Sequence, residues 1–309
     1  MTRKSPRAAR ARTAARPRLA ITLGDPRGIG PEITAAALAA AAVGKCCEAV
    51  LIGPSGTSTP VDEAIGAWKK GGDEQLAGQL AAKAIERAVM LAQRGDVAGI
   101  VTAPIDKHAL LAAGYRDPGH TEMLARLTNT MVAMMLASAK LCVVLATTHI
   151  AIRDVPAMLT AERISATARI TRAGLRDWYG IAEPRIALCA LNPHAGDQGR
   201  FGDEDDTLLA PAAKAAGIAG PFPADTVFVR AMEGEFDAVI APYHDVGMTA
   251  IKVASFGQAV NVTLGLPFPR TSPDHGTAID IMGTGRARPE SMRLAILECA
   301  RIAALIGSQ

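Results

Sequence analysis

At 309 residues, with 49% apolar, 20% charged and only 4% aromatic residues, the chain is long enough to bury a large aliphatic core. No apolar run is long enough for a transmembrane helix, and five cysteines without a C-x-x-C pair favour reduced thiols in the cytoplasm over a disulfide framework. The net charge of +3 is carried by residues 1–18, which hold seven Arg or Lys and no acid, so the remainder carries −4. Nucleic-acid binding by the folded part is therefore not expected.

Residues 1–18 are predicted to be a disordered basic tail, because so short and polar a stretch cannot offset the entropy lost on ordering. The tail lacks the apolar segment of a secretory signal. An Arg-rich, transit-like peptide is the alternative interpretation of this stretch.

Short apolar runs alternate with amphipathic segments along the rest of the chain. The predicted strands are Leu19–Leu23, Ala49–Ile52, Gly99–Thr102, Leu141–Ala146, Arg185–Ala190, Ala238–Ala241 and Ala259–Thr263. The predicted helices include Glu74–Arg94, Thr160–Tyr179, Leu208–Ala216 and Pro289–Ile306. This alternation predicts a largely parallel, doubly wound α/β sheet, and the polar, turn-rich segment Gly53–Gly72 is the one break in it.

The stretch GDPRGIGPE, residues 24–32, lies between a predicted strand and an alanine-rich segment, where a nucleotide-binding loop could stand. A dinucleotide fingerprint needs G-x-G-x-x-G and an acid after the second strand, and a P-loop ends in G-K-[ST]. Here the order is G-x-x-x-G-x-G, no acid follows the second strand, and Pro31-Glu32 closes the loop. We therefore expect a strand-to-helix turn that shapes a cleft wall.

Three of the six histidines directly follow predicted strands, in LCVVLATTH, RIALCALNPH and DAVIAPYH. These residues are His149, His194 and His244. Ligands collect outside the carboxyl ends of parallel strands, and three imidazoles with an open fourth position form a catalytic site for zinc or a similar divalent ion. The spacing alone leaves separate hydrogen-bonding roles open.

Other polar residues near these strands have the chemistry that a phosphate or carboxylate substrate requires. They are His120, Thr121, Lys252, Asn261 and Arg270. Taken singly, each could be a helix cap or a surface charge. Asp225 and Asp245 could orient the imidazoles from behind or act as helix caps.

Nine stretches together resemble the family of 4-hydroxythreonine-4-phosphate dehydrogenase of pyridoxal phosphate biosynthesis and its close relatives. They are GDPRGIGPE, TAPIDKHAL, YRDPGHTEMLA, TTHIAIRD, LNPHAGDQGRFGDE, PADTVF, YHDVGMTAIK, VNVTLGLPFPRTSPDHGTAIDI and GTGRARPESM. They occur in order from residue 19 to the C-terminus. The set is specific for the family, whereas GDPRGIGPE alone is not.

The resemblance implies an isopropylmalate/isocitrate-dehydrogenase-like fold of two α/β domains with largely parallel sheets and an active-site cleft between them. Residues 19–118 with 268–309 would form a discontinuous first domain. Residues 119–267 would form the second, which carries most of the site and the interface of a homodimer with shared active sites. No membrane partner is implied.

The resemblance also implies roles for individual residues. His149 and His194 of one subunit and His244 of its partner would hold one divalent metal, zinc or else Mg, Co or Mn. The substrate would contact His120, Thr121, Lys252, Asn261 and Arg270, with the cationic groups near its phosphate. NAD would be bound by the loop containing His275, Gly276, Thr277, Ala278 and Asp280, where the Asp280 carboxylate would disfavour the 2′-phosphate of NADP.

The implied reaction is metal-dependent, NAD-linked oxidation of the secondary hydroxyl of 4-phosphooxy-L-threonine, followed by decarboxylation of the 3-oxo acid to 3-amino-2-oxopropyl phosphate. Lys252 and a metal-bound water are both candidates for the general base, and Asp245 would support the site beside His244.

The chain departs from the family pattern at two places in its active-site motifs. It has HDVG where HDQG is expected and FPR where FIR or FVR is usual, and Val246 could alter substrate contacts. D-Threonate or D-erythronate 4-phosphate is the main alternative substrate, and a dihydrodiol is a weaker one. A non-catalytic metal- or ligand-binding protein is the alternative of a different class.

Overall fold

The structure of the protein is a computed structural model, and it describes residues 16–308. Most of the predicted basic tail lies outside the described residues. The backbone oxygen of Pro17 accepts a hydrogen bond from the Glu48 amide at 3.0 Å, and Arg18 already opens the first strand. The folded part therefore begins slightly before the predicted boundary at residue 19.

The described chain contains strands and helices in alternation. The strands are β1 (Arg18–Thr22), β2 (Glu48–Ser55), β3 (Glu63–Ala67), β4 (Gly99–Thr102), β5 (Ala133–Ala137), β6 (Cys142–Leu145), β7 (Ile186–Cys189), β8 (Ala219–Phe222), β9 (Ala238–Ala241), β10 (Val260–Leu264) and β11 (Arg270–Ser272). The helices are α1 (Gly30–Leu38), α2 (Ala41–Cys46), α3 (Glu74–Gln93), α4 (Lys107–Ala112), α5 (His120–Thr128), α6 (Val155–Met158), α7 (Ala161–Tyr179), α8 (Ala210–Ala216), α9 (Ala224–Met232), α10 (His244–Ser255) and α11 (Glu290–Ile306). All seven predicted strands are present.

The strands of the described residues join in one sheet, in the order β3-β2-β1-β4-β11-β10-β5-β6-β9-β7-β8. Pairing is parallel from β3 to β11 and again from β6 to β8. The central pairs β11–β10, β10–β5 and β5–β6 are antiparallel. The sheet is thus two parallel halves joined by an antiparallel centre.

The two halves are supplied by the stretches for which two domains are predicted, and the division into domains itself stays a prediction. Residues 19–118 with 268–309 supply the half from β3 to β11, and residues 119–267 supply the half from β10 to β8. The halves are joined edge to edge, because Asn261 pairs with Ser272 and Val262 with Thr271 across the β10–β11 junction. The exact domain boundaries stay a prediction.

Helices cover both faces of the second half, as strand alternation requires. In β6, Val143 and Leu145 belong to a buried cluster that packs against α9 and α10, whereas Val144 belongs to the larger cluster that includes residues of α7. None of the helices within residues 16–308 is long and apolar enough to cross a membrane.

The polar segment Gly53–Gly72 is more structured than its composition indicates. It contains the end of β2 and the edge strand β3, and Trp68 is buried against Leu80 and Ala77 of α3. Burial of this indole explains how a turn-rich stretch can contain a strand.

The predicted helix at Leu208–Ala216 differs from the observed one. A π-helical turn over Asp205–Leu209 comes first, and α8 follows it.

Candidate active site

A cavity of about 350 Å³ lies between the two halves of the sheet. The residues that follow β4, β6 and β9 reach it, as expected for the carboxyl ends of strands in an open α/β sheet. Nine predicted site residues line it: His120, Thr121, His149, His244, Lys252, Asn261, Arg270, His275 and Gly276. The cavity therefore gathers most of the predicted set.

Helix α10 supplies three lining residues from one face. His244, Met248 and Lys252 are spaced four residues apart, so successive turns bring their side chains to the same side. The helix lies close to the sheet because Gly247 has no side chain. A Cβ atom there would lie 2.8 Å from Leu145 Cδ2 and 2.9 Å from Ala241 Cβ.

His149 and His244 of one chain form a close pair. Their ring centroids are 5.5 Å apart with the planes inclined by 44°. Partial burial, the charge of Lys107 and the neighbouring His244 lower the pKa of His149, which favours the neutral imidazole that a metal ion requires. Asp245 Oδ1 lies 2.6 Å from His244 Nδ1, so the carboxylate can fix this ring and leave Nε2 free.

His194 does not line this cavity. It is exposed on the loop after β7, in a left-handed backbone conformation (φ 53°), with its ring centroid 6.4 Å from that of Phe201. Within residues 16–308 of a single chain, no three His, Cys, Asp or Glu side chains are gathered as a metal site. One chain thus pairs His149 with His244, a different pairing from the one that the family resemblance implies.

Arg270 is fully buried at the junction of the two halves. Its Nη1 donates to Thr263 Oγ1 of β10 at 2.9 Å, and Nη2 donates to Thr102 Oγ1 of β4 at 2.5 Å. The Nε atom has no partner, and no carboxylate among the described residues is within ion-pair distance. Burial lowers the pKa of Arg270 to about 9, so the guanidinium still carries its charge at neutral pH.

The floor of the cavity comes from paired residues of neighbouring strands. Asn261 of β10 is in register with Leu136 of β5 on one side and with Ser272 of β11 on the other, and all three line the cavity. The Asn261 Oδ1 atom is buried without a hydrogen-bond partner. This buried acceptor is thus available to a donor in the cavity.

Helix α5 brings its first turn to the cavity, with His120, Thr121 and Glu122. Burial and the nearby charge of Arg270 lower the pKa of His120 well below its ordinary value, and its Nε2 has no partner. Sequence reasoning missed Glu122 and also Lys107, which lies just beyond β4 and lines the cavity. Their position after a strand and at a helix start was the available signal.

The predicted cofactor loop reaches the cavity with His275 and Gly276 only. His275 Nε2 is buried and has no partner. Thr277 and Ala278 are half-buried behind these residues, and Asp280 is exposed on a short 3-10 turn. The loop thus presents one end to the cavity and the other to solvent.

The GDPRGIGPE stretch supports this loop. The Ile29 amide donates to Thr277 O at 2.9 Å, and Glu32 Oε1 accepts from the Gly283 amide at 3.3 Å. Gly24 has φ 71°, and a Cβ atom there would lie 2.2 Å from Pro104 O. The turn thus supports the 275–280 loop from behind, and no residue of it lines the cavity.

Asp225 and Val246, which the sequence also singles out, do not line the cavity. Asp225 is exposed in the first turn of α9 and makes no hydrogen bond to a histidine of the described chain. Val246 packs against the buried cluster beneath α10 and does not line the cavity. The amide-to-valine departure thus faces the core, and not the substrate space.

Comparisons with known proteins connect this site to a family. The family profile described as "Pyridoxal phosphate biosynthetic protein PdxA" matches residues 32–299. The chain belongs to this family. As a PdxA-family member it is a dehydrogenase, and the family prediction is confirmed.

Two relatives illustrate the range of the family. The chain is 43% identical to 4-hydroxythreonine-4-phosphate dehydrogenase of Geobacter metallireducens, over 95% of this chain and 97% of the relative. It is 42% identical to D-threonate 4-phosphate dehydrogenase of Salmonella typhimurium, over 90% of this chain and 96% of the relative. Sequence similarity of this degree is thus shared with enzymes named for two substrates.

Solved structures agree on the fold. The crystal structure of 4-hydroxythreonine-4-phosphate dehydrogenase from Klebsiella pneumoniae superposes with a TM-score of 0.84 at 40% identity, and covers 94% of this chain and 99% of its own. A β-decarboxylating dehydrogenase from Thermococcus kodakarensis shares the fold at 15% identity, with a TM-score of 0.53 and coverage of 92% and 81%. The isopropylmalate/isocitrate-dehydrogenase-like fold is confirmed.

Proposed function

We propose that this PdxA-family member carries out metal-dependent, NAD-linked oxidation of the secondary hydroxyl of 4-phosphooxy-L-threonine, with decarboxylation to 3-amino-2-oxopropyl phosphate. The name of the Geobacter relative supports this substrate. The proposal is carried by one observation above the others, the buried Arg270 in a cavity that also contains a histidine pair.

Arg270 supports a phosphorylated substrate because no carboxylate of the described residues forms a direct ion pair with it, and Glu122 acts on its charge only from beyond that distance. A buried guanidinium without a carboxylate is costly in a folded protein, and its two hydrogen bonds go to neutral threonine hydroxyls. A phosphate would provide the missing negative charge through charge-assisted hydrogen bonds. Lys107, which lines the same cavity, adds positive charge.

The donor set suits a divalent metal such as zinc. Two imidazoles that bind one zinc ion at about 2.0–2.1 Å have centroids roughly 5 Å apart, close to the 5.5 Å between His149 and His244. The third ligand would be the partner's His194 in a homodimer. The exposed position of His194, and a second cavity of about 110 Å³ beside His149 and His244 that Ile150 and Ile152 help to line, support this assignment.

The loop that contains His275, Gly276, Thr277, Ala278 and Asp280 is assigned to NAD. His275 and Gly276 face the substrate space, where the nicotinamide must approach the reacting carbon. Asp280 is exposed and free to meet the ribose hydroxyls. When bound, the metal would lower the pKa of the substrate hydroxyl and NAD would accept the hydride.

The chain's own residues bind and orient the substrate. Arg270 and Asn261 would hold the phosphate end from the cavity floor, and His120 with Thr121 would fix it from the start of α5. Lys252 lies on the same helix face as His244, so its amine is placed to take up the hydroxyl proton. Asp245 would keep the His244 ring in the required tautomer.

D-Threonate 4-phosphate is the second candidate substrate, supported by the Salmonella relative, and D-erythronate 4-phosphate has the same chemistry. Glu122 favours the amino acid, because this carboxylate lines the cavity and could pair with the substrate ammonium group. A hydroxy acid has no ammonium group. A dihydrodiol without phosphate leaves Arg270 unpaired and is least favoured.

A cytoplasmic homodimer completes the proposal. All five cysteines of the chain are free thiols, as expected in a reducing compartment. The divalent metal is proposed as zinc, with Mg, Co or Mn as alternatives. No nucleic-acid partner is proposed.

A substrate panel tests this function. The purified protein is incubated with NAD, Zn²⁺ and each of 4-phosphooxy-L-threonine, D-threonate 4-phosphate and D-erythronate 4-phosphate, with 4-hydroxy-L-threonine as the matched substrate without phosphate. NADH absorbance should rise fastest with the first compound and not with the last. Flat traces with every phosphorylated acid would contradict the proposal and favour a non-catalytic binding protein.

A further inference from the structure

The loop that carries His194 has an unusual backbone. Residues 194–199 all have positive φ, from 46° to 84°, and four of them are not glycine: His194, Ala195, Asp197 and Gln198. Side chains other than glycine rarely adopt this conformation, and a run of them persists only where the surroundings hold it in place. Some other part of the chain must therefore hold this loop.

Asp205 provides the strongest connection to this loop. Its side chain is fully buried, and its two oxygens accept hydrogen bonds from successive backbone amides, Leu191 at 2.8 Å and Asn192 at 2.9 Å. These amides lie two and three residues before His194. The carboxylate forms no ion pair with a cation of the described residues, and both of these hydrogen bonds serve the backbone.

Two further hydrogen bonds hold the chain at Asn192 and close the loop that follows it. Asn192 Nδ2 donates to Glu204 Oε2 at 2.7 Å, and the Phe201 amide donates to Gly196 O at 3.0 Å, which closes the loop on itself. Asp205 itself begins the π-helical turn that leads into α8, and Leu209 at the end of this turn is buried. The carboxylate is thus anchored in the core while its partners are on the loop.

We propose that Asp205, assisted by Glu204, is a positioning residue that holds the left-handed loop so that His194 is presented to the metal site of another copy of the chain. The proposal rests on the proposed function, since it assumes that His194 is a metal ligand. Asp205 does not line the cavity. It acts through two backbone amides that set the direction of the loop.

The replacement Asp205→Asn tests this role. The amide keeps the size of the side chain but exchanges one acceptor oxygen for a donor, so one backbone amide loses its partner. Zn²⁺ affinity of the metal-free protein, measured by competition with a chromophoric chelator, should fall by about 10- to 100-fold, as for other residues that orient metal ligands. Asp206→Asn, at the exposed neighbouring position, should keep wild-type affinity.

A purely structural role would lower thermal stability and leave Zn²⁺ affinity unchanged well below the unfolding temperature. Wild-type affinity in folded Asp205→Asn would overturn the proposal. If Asp205→Asn does not fold, the Zn²⁺ affinity of Glu204→Ala is measured instead. This variant should fold, because Glu204 is only half-buried. A several-fold loss of affinity then supports the proposal, and unchanged affinity overturns it.

His194→Ala separates this proposal from the proposed function. If His194→Ala loses Zn²⁺ affinity while Asp205→Asn retains it, only the positioning role fails. If His194→Ala itself binds Zn²⁺ as tightly as the wild type, the histidine site of the proposed function fails.

Discussion

Arg270 is the residue on which the proposed phosphate site depends most, since within residues 16–308 its buried guanidinium donates hydrogen bonds only to the hydroxyls of Thr102 and Thr263. We predict that Arg270→Met raises the KM for the phosphorylated substrate by roughly 10- to 100-fold, because losing one charge-assisted hydrogen bond costs about 1.5–3 kcal/mol. Steady-state kinetics with saturating NAD and Zn²⁺ measure this effect.

Stability should respond differently to the same change. Methionine fills most of the volume of the arginine and removes a costly buried charge, but it also deprives the Thr102 and Thr263 hydroxyls of their donor. Because these two effects oppose each other, the free energy of unfolding should change by less than about 1 kcal/mol. Arg176→Met, on the exposed side of α7, is the matched control and should leave KM unchanged. An unaltered KM in Arg270→Met would show that the phosphate binds elsewhere.

His120, which lines the cavity, should make the free energy of unfolding depend on pH in the acid range. Its pKa is lowered in the folded protein by burial and by Arg270, so below about pH 6.5 the unfolded chain takes up a proton that the folded chain does not. Unfolding then becomes more favourable as pH falls, by at most about 1.4 kcal/mol per pH unit from this residue. His120→Gln should therefore lose less stability than the wild type between pH 6.5 and lower pH.

Urea denaturation of both proteins without ligand, across a series of pH values, measures this difference. Parallel stability curves for the wild type and His120→Gln would show that His120 titrates normally in the folded chain. That result would contradict the burial of an unpartnered Nε2 atom at this position.

At the scale of elements, helix α10 depends on the absence of a side chain at Gly247. Alanine there would contact Leu145, Ala241 and Val143 at less than 3 Å, so we predict that Gly247→Ala destabilises the fold by about 1–3 kcal/mol. Gly44 is a matched helical glycine in α2, where an added Cβ atom would have no neighbour within 4 Å. Gly44→Ala should instead stabilise by about 0.5–1 kcal/mol.

Thermal or urea unfolding of the two variants provides the comparison. Because α10 carries His244 and Lys252, Gly247→Ala should also weaken Zn²⁺ binding, whereas Gly44→Ala should not. Equal stabilisation of the fold by both substitutions would refute the close packing of α10 on the sheet.

The elements that sequence patterns predicted best were long or continuously apolar. Helix α7 matches its prediction within one residue, and β9 matches at both ends. Strand β5 was missed because its residues AMMLA have neither β-branched side chains nor alternation. Strand β11 was missed because three residues are too few for a period, although their pairing with β4 and β10 places Arg270 at the centre of the site.

The composition of the site was easier to predict than its arrangement. Strand ends identified His149 and His244, and the family motifs identified His120, Asn261 and Arg270, all of which line one cavity. The position of His194 could not be predicted, because it depends on a left-handed loop held by a carboxylate eleven residues further on, and such a contact has no local pattern. Which histidines share a chain is a property of tertiary and quaternary structure.

For the whole molecule, the sheet's two halves enclose the cavity, and of the four histidines by which one described chain lines it, His149 and His244 form the close pair. In a two-fold homodimer each site would take His149 and His244 from one chain and His194 from the other. Two chains with different inactivating substitutions can then restore one complete site. If one chain instead supplied His149 and His194 and its partner His244, a different combination of variants would restore a complete site.

The most direct measurement is the activity of purified heterodimers from two differently tagged variants, with 4-phosphooxy-L-threonine, NAD and Zn²⁺. The combination of His149→Ala with His194→Ala should recover about half of the wild-type rate, because one of its two sites keeps all three histidines. The combination of His149→Ala with His244→Ala should stay inactive. Each site takes both of these histidines from one chain, and each chain of this heterodimer lacks one of them. Activity in the second heterodimer and none in the first would contradict the shared metal centre proposed here.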